Sequence, residues 1–151
     1  MTTESKFPTL EFIKSEQLRE IIQTKEVGKD YLIVDVRDDD YVGGNIPNCI
    51  NKPSATIKDS LDSLISDYSQ VPQIIFTCGL SKGRGPNSAK AYQDELLSKN
   101  INPDQKIQVL SGGITEWQKH YKDEQTLIEN YDANYWNQND NNVHTNNPNT
   151  H

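Results

Sequence analysis

The feature that most limits how this chain can fold is an alternation of two patterns. Short apolar runs, rich in β-branched residues, are separated by longer stretches whose apolar residues return at helical spacing. Tyr31-Leu32-Ile33-Val34-Asp35-Val36 is apolar at consecutive positions, the pattern of a strand covered on both faces. Gln73-Ile74-Ile75-Phe76-Thr77 and Lys106-Ile107-Gln108-Val109-Leu110 repeat it, Cys49-Ile50-Asn51 is a shorter version, and Leu10 to Ile13 is a candidate edge strand. Between these runs, Ser15 is positioned to cap a helix carrying Leu18, Ile21 and Ile22 on one face. Ile57, Leu61, Leu64, Ile65 and Tyr68 form a second stripe, and Ala89, Tyr92, Leu96 and Leu97 a third. Strands separated by helices of this length require crossover connections. The reading is therefore an α/β domain with a central, mostly parallel sheet flanked by helices.

The alternation occupies residues 10–136. Near its end Ser111-Gly112-Gly113 turns into a helix holding Trp117, and Tyr131, Tyr135 and Trp136 read as aromatic anchors that cover the core. Residues 1–9 are polar and read as a flexible N-terminus. Residues 137–151, NQNDNNVHTNNPNTH, have Val143 as their one strongly apolar side chain and read as a disordered Asn-rich tail. The hydrophobic fraction of the whole chain is only 33%, and this tail accounts for part of the deficit. A net charge of −7 argues against a nucleic-acid partner, which needs a concentrated positive face. No apolar run approaches the roughly 20 residues that span a bilayer, so no membrane partner is expected. Two cysteines do not make a disulfide framework, which points to a reducing compartment, cytoplasmic or nuclear. No His, Cys, Asp or Glu cluster has metal-ligand spacing, and neither a metal nor another cofactor is expected. The sequence sets no oligomeric state.

One segment carries chemistry: Ile74-Ile75-Phe76-Thr77-Cys78-Gly79-Leu80-Ser81-Lys82-Gly83-Arg84-Gly85-Pro86. A buried strand delivers Cys78 to the C-terminal edge of a parallel sheet, where such sheets bind ligands. After five intervening residues Arg84 precedes a Gly-Pro helix start, and Pro86 suits a first helical turn. Gly79 and Gly83 are expected to let successive loop amides, those of Gly79, Leu80, Ser81, Lys82, Gly83 and Arg84, turn inward. With the helix N-terminus they form an anion cradle. Arg84 adds a planar fork matched to two oxygens of a tetrahedral oxyanion. The same field favours a thiolate at Cys78, so one arrangement both binds the anion and activates the nucleophile. Ser81 is placed either to donate to the thiolate or to pin the loop, and Lys82 either to steer anions or to face water.

The strand-Cys-(five residues)-Arg-Gly-Pro-helix pattern resembles the M-phase-inducer phosphatases and their small arsenate-reductase relatives, most closely the short single-domain fungal members. Asp35-Val36-Arg37 resembles the Asp-x-Arg that ends a central strand in that group. Tyr41-Val42-Gly43-Gly44-Asn45-Ile46 resembles its aromatic-x-Gly-Gly-His-Ile segment, and Leu110 to Trp117 its Gly-Gly-(three residues)-Trp signature. The resemblance implies a rhodanese-like fold and a cysteine-dependent protein phosphatase of tyrosine or dual specificity. Cys78 would be the nucleophile forming a thiophosphate, Arg84 and the loop amides would hold the oxygens, and Asp35 and Arg37 would be supporting residues. The partner implied is a phosphorylated protein or a small phosphate or arsenate oxyanion. Ser81-Lys82-x-Arg84-Gly85-Pro86 equally resembles the arsenate reductases' loop, which implies arsenate reduction with glutathione or a glutaredoxin as the alternative. Sulfurtransferases of this fold carry a loop one residue shorter, which disfavours thiosulfate chemistry. A non-catalytic oxyanion-binding module is the remaining reading.

The sequence departs from the family pattern at several positions. Thr77 replaces the His before the catalytic cysteine, Asn45 replaces the His of Gly-Gly-His, Gly79 stands where the cell-cycle enzymes carry a glutamate, and Val36 stands where animal members carry a resolving cysteine. No acidic residue lies inside the loop. Asp38, Asp39 and Asp40 read as a solvated acidic turn, and Cys49 as a packed small residue that can act as a resolving thiol only if the fold brings it near Cys78.

Overall fold

A computed structural model describes residues 10–137. Five strands, β1 (Glu11–Ile13), β2 (Leu32–Asp35), β3 (Ile50–Asn51), β4 (Gln73–Thr77) and β5 (Lys106–Leu110), form one sheet in the order β1-β5-β4-β2-β3 with every neighbouring pair parallel. Helices α1 (Ser15–Thr24), α2 (Ile57–Tyr68) and α3 (Arg84–Ser98) lie in the crossover connections, and α4 (Gly113–Tyr121) follows the last strand. The flexible N-terminus expected for 1–9 and all but Asn137 of the expected tail lie outside the described residues.

Strand parity explains the two-layered core. Leu32, Val34, Ile74, Phe76, Ile107 and Val109 point to one face, where α2 and α3 cover them with Leu61, Leu64, Ala89 and Tyr92. Ile13, Ile33, Ile75 and Leu110 point to the other, where α1 and α4 bring Leu18, Ile114 and Trp117. β2 and β4 are buried at every residue, as consecutive apolar sequence requires of central strands. Two aromatic side chains buried in this core place their polar atoms on partners. Trp117 Nε1 donates to Leu127 O at 2.7 Å, and Tyr92 Oη donates to Gln105 Oε1 at 2.8 Å.

Two local expectations shift by a residue or two. Lys14, not Ser15, is the N-cap of α1, because the Gln17 side chain reaches back to accept the Lys14 amide at 2.8 Å, leaving Ser15 buried in the first turn. α3 begins at Arg84 rather than at the Gly-Pro pair, so Pro86 lies inside the first turn, where its missing N–H costs nothing.

Candidate active site

The register of the sheet builds the site. Asp35 lies opposite Thr77 across β2 and β4, so Arg37 and Cys78 leave the sheet at the same edge, one strand apart. The loop from Cys78 wraps its own sulfur. Cys78 Sγ accepts hydrogen bonds from the backbone amides of Ser81 at 3.1 Å and Gly85 at 3.2 Å. The sulfur side chain is only 3% exposed, yet it lines an open cleft of about 580 Å³ together with Gly79, Leu80, Lys82, Gly83 and Arg84.

The loop turns differently from the sequence expectation. Neither Gly79 nor Gly83 takes a left-handed conformation; Ser81 does, at φ 57°, and this residue turns its amide onto the sulfur. Gly83 has open space where a Cβ would stand, so neither sterics nor φ requires glycine there. Gly85 packs directly on the sulfur, where a Cβ would stand at ordinary contact distance, 3.4 Å from Cys78 Sγ. Of the two roles open to Ser81, its side chain pins the loop, because its Oγ accepts the Cys78 amide at 3.4 Å. Lys82 is exposed at the cleft rim. Thr77, in place of the histidine, directs its hydroxyl to Cys78 O at 3.3 Å.

The acidic turn after Arg37 is not merely solvated. Asp38 and Asp40 reach across to Arg84: Nη1 donates to Asp38 Oδ2 at 3.1 Å and Asp40 Oδ1 at 2.8 Å, and Nη2 donates to Asp40 Oδ2 at 2.6 Å. These bonds occupy the Nη1/Nη2 edge of the guanidinium. Among the described residues nothing accepts from Arg84 Nε, so the Nε/Nη2 edge keeps a two-pronged donor set for a ligand. The Arg84 guanidinium holds the Asp40 carboxyl down at about 2, and Asp40 in turn holds Arg84 in its charged form. Asp38 is also held below the usual carboxylate range, chiefly by the Ser54 hydroxyl, which donates to it at 2.6 Å.

Asp35 and Arg37 form the frame beneath. Both are 1% exposed, and Arg37 Nη2 lies 2.9 Å from Asp35 Oδ2. The remaining Arg37 donors go to the carbonyls of Asp40 (3.3 Å), Val42 (3.1 Å) and Gly44 (2.9 Å). With its hydrogens so spent, Arg37 organises the 38–44 turn that presents Asp38 and Asp40. Asp39 makes no contact with Arg84.

A second support comes from α4. Ile114 N donates to Cys78 O and Thr115 N to Gly79 O, both at 3.0 Å. The first turn of α4 thus takes up the carbonyls of Cys78 and Gly79 behind the sulfur. This approach explains the glycine pair: Gly113 sits at φ 58°, and a Cβ on it would lie 2.5 Å from both Cys78 O and Gly79 O. Sequence reasoning noted Gly112-Gly113 only as a turn and a family signature. A glycine required at the first position of a helix was the available signal for close backbone approach.

The C-terminal aromatics are not simply core cover. Tyr135 and Trp136 line the cleft, and Trp136 Nε1 donates to Gly43 O at 2.8 Å. Tyr131 packs against the α1/α4 side of the core, as a cover residue should. Asn45, in the histidine's place, ties down the segment leading to these aromatics through an antiparallel bridge to Glu129 and a side-chain bond to Glu129 Oε1 at 3.0 Å. Cys49 has its own surroundings: its sulfur lies 3.5 Å from Tyr41 Oη and 3.8 Å from Asn45 Nδ2, and burial pushes its thiol up. It packs with the α1/α4 layer, whereas Cys78 belongs to the α2/α3 layer. No group of three or more His, Cys, Asp or Glu among the described residues could hold a metal ion, and no helix among them is long and apolar enough to cross a membrane.

Comparison with known proteins places this geometry in a family. The chain is 29% identical over 136 residues to the dual specificity phosphatase ibp1 of Schizosaccharomyces pombe, covering 80% of this chain and 97% of that protein. It is 32% identical over 120 residues to arsenical-resistance protein 2 of Saccharomyces cerevisiae, covering 74% and 91%. The crystal structure of Saccharomyces cerevisiae Ygr203w, a homolog of single-domain rhodanese and the Cdc25 phosphatase catalytic domain, shares the fold with a TM-score of 0.72 at 24% identity, over 84% of this chain and 91% of that one. The rhodanese-like domain profile matches residues 14–120, and with relatives named as phosphatases and as an arsenical-resistance protein, the chain belongs to the rhodanese-like domain family.

Proposed function

We propose that the chain is a cysteine-dependent phosphatase of dual or tyrosine specificity, with Cys78 as nucleophile and Arg84 as the oxyanion clamp. One observation supports this reading above the others. Two backbone amides donate to a sulfur at the floor of an open cleft, beside an arginine with one donor edge unspent. Amide donors suit the anionic form of the sulfur, the form that attacks. Cys78 Sγ forms a bond to phosphorus as the ester oxygen departs, leaving a thiophosphate on the enzyme. Water then attacks phosphorus, releasing inorganic phosphate and restoring the sulfur. Arg84 and the loop amides serve by positioning and by stabilising charge on the equatorial oxygens. Asp40 is ionised and committed to Arg84 and is not the proton source. The leaving oxygen takes its proton from a singly protonated phosphate ester or from water.

Phosphate release from p-nitrophenyl phosphate tests the assignment. Cys78→Ser should abolish it, and retained turnover would refute the nucleophile. Arg84→Lys should lose most activity while keeping the charge, because the fork is gone.

The 32% identity to an arsenical-resistance protein supports a second reading of the same loop. Cys78 attacks arsenic of arsenate with loss of water. Glutathione then attacks the sulfur of that adduct, arsenic leaves as arsenite with two electrons, and the resulting mixed disulfide is reduced by a second thiol. Glutathione oxidation coupled to arsenate, measured beside aryl phosphate hydrolysis on one preparation, separates the two. Thiocyanate formation from thiosulfate and cyanide would instead indicate sulfur transfer. Tight tungstate binding without turnover of any of these substrates would indicate an oxyanion-binding module.

A further inference from the structure

Part of the cleft's lining comes from a distant part of the chain. Tyr135 and Trp136 meet edge to face with ring centroids 5.0 Å apart, and both line the same cleft as Cys78. Their seat is Gly43. Its carbonyl accepts the Trp136 indole N–H at 2.8 Å and the Asp132 amide at 3.1 Å, and at φ 84° its missing side chain leaves the room that the Tyr135 ring fills. Arg37 donates to the carbonyls on either side of Gly43 and so fixes this seat from within. Because the Trp136 N–H is spent on Gly43, the indole offers the cleft an apolar surface. Exposed Leu80 and buried Ile114 continue that surface around the sulfur.

We propose that the Tyr135–Trp136 pair, seated on Gly43, is the substrate-selecting wall of the site and favours aryl phosphate esters, phosphotyrosine above phosphoserine or phosphothreonine. This rests on the phosphatase reading and names its substrate class. A phosphate held by the loop and Arg84 projects its ester group outward. An aryl ester places a flat apolar ring between loop and wall, where offset or edge contacts with the two aromatics form. A serine or threonine ester is too short to carry apolar surface to the wall and leaves it uncovered.

Steady-state hydrolysis of two peptides with the same flanking residues, one carrying phosphotyrosine and one phosphothreonine, tests the wall. Trp136→Ala should lower kcat/KM for the phosphotyrosine peptide by roughly tenfold, mainly through KM, and change the phosphothreonine value less than about twofold. Trp136→Phe should keep most of the preference. Gly43→Ala, which displaces the pair without altering either ring, should reproduce the loss of preference. Equal losses on both peptides would show a merely structural role and overturn the proposal, as would no loss on either. Calorimetric binding of phenyl phosphate and methyl phosphate to Cys78→Ser provides a readout independent of turnover. Preferential phenyl phosphate binding that Trp136→Ala abolishes upholds the wall even if wild-type hydrolysis is absent, in which case the phosphatase reading alone fails. Equal affinity for the two esters overturns the wall.

Discussion

Replacing Gly113 with alanine tests whether α4 truly sets the backbone of Cys78, the proposed nucleophile, and Gly112→Ala supplies a matched control. Both glycines are left-handed, at φ 58° and 80°, so each alanine brings backbone strain of roughly 1–2 kcal/mol. Their surroundings differ. At Gly112 the new methyl meets Glu116 Cγ and, at 2.7 Å, Glu116 Cβ; the Cγ of this 45% exposed side chain can rotate away, but the Cβ moves only with the backbone of α4. At Gly113 it would lie 2.5 Å from the carbonyl oxygens of Cys78 and Gly79, so backbone must retreat. That retreat stretches the Ile114 and Thr115 amide bonds to those carbonyls, each worth about 1 kcal/mol. The Glu116 Cβ contact adds about 1 kcal/mol to the strain at Gly112. The expected loss is therefore about 2–3 kcal/mol for Gly112→Ala and about 3–4 kcal/mol for Gly113→Ala. At roughly 2–4 °C per kcal/mol for a chain of this size, Tm should fall by about 7 °C and about 10 °C respectively, and the two variants separate chiefly in activity. Calorimetry gives these values, and initial rates on p-nitrophenyl phosphate give the functional arm. Gly112→Ala should stay within about twofold of wild type, whereas Gly113→Ala should lose about 10²-fold in kcat/KM, the scale of an ångström-sized misplacement. If the two variants are equally active at a temperature where both are folded, the loop does not depend on α4.

Asp40→Ala removes two of the three carboxylate bonds on the Nη1/Nη2 edge of Arg84, leaving Asp38 on Nη1, and should lower kcat/KM on aryl phosphate by about tenfold or more; unchanged kinetics would show that the Asp40 carboxylate does not position the fork. The folded Asp40 carboxyl is depressed from 3.8 to about 2, so its small, solvent-screened contribution to stability is fully present above pH 3.8 and is lost as pH falls through about 2. The Tm difference between wild type and Asp40→Asn should accordingly be flat from pH 5 to 8 and shrink only toward pH 2. Asp35→Asn leaves the buried Arg37 charge uncompensated and should cost about 3–5 kcal/mol, read by urea unfolding; a cost under 1 kcal/mol would contradict the frame drawn here. Because burial raises the Cys49 thiol, iodoacetamide at pH 7 should leave Cys49 unmodified in the folded protein, with mass spectrometry of its peptide as the check.

The strands and helices were legible because central parallel strands are apolar at consecutive positions and helices repeat near every fourth, and both patterns survive in the bare sequence of β2, β4 and α2. The Cys78–Arg84 loop was legible because its chemistry sits within seven consecutive residues. What could not be read depends on distance along the chain. Asp38 and Asp40 meet Arg84 only because the β2–β4 register brings together residues 46 and 44 positions apart. Before the fold is known, three aspartates in a row look like a solvated turn. Glycine content pointed to Gly79 and Gly83 for the loop's turn, but the strained residue is Ser81, whose hydroxyl and amide are both held by Cys78. Tyr135 and Trp136 look like cover until Gly43 is seen to seat them in the cleft that Cys78 lines.

The clamp by α4 also fixes an order of assembly. Cys78 and Arg84 leave the ribosome well before Ile114 and Thr115, so during synthesis the Cys78 thiol exists for some 36 residues of elongation without the amide that will anchor its carbonyl. A nascent chain halted before residue 113 therefore carries every atom of the proposed chemistry, including the loop amides that face the sulfur, and lacks the anchor behind them. That anchor arrives only when α4 docks.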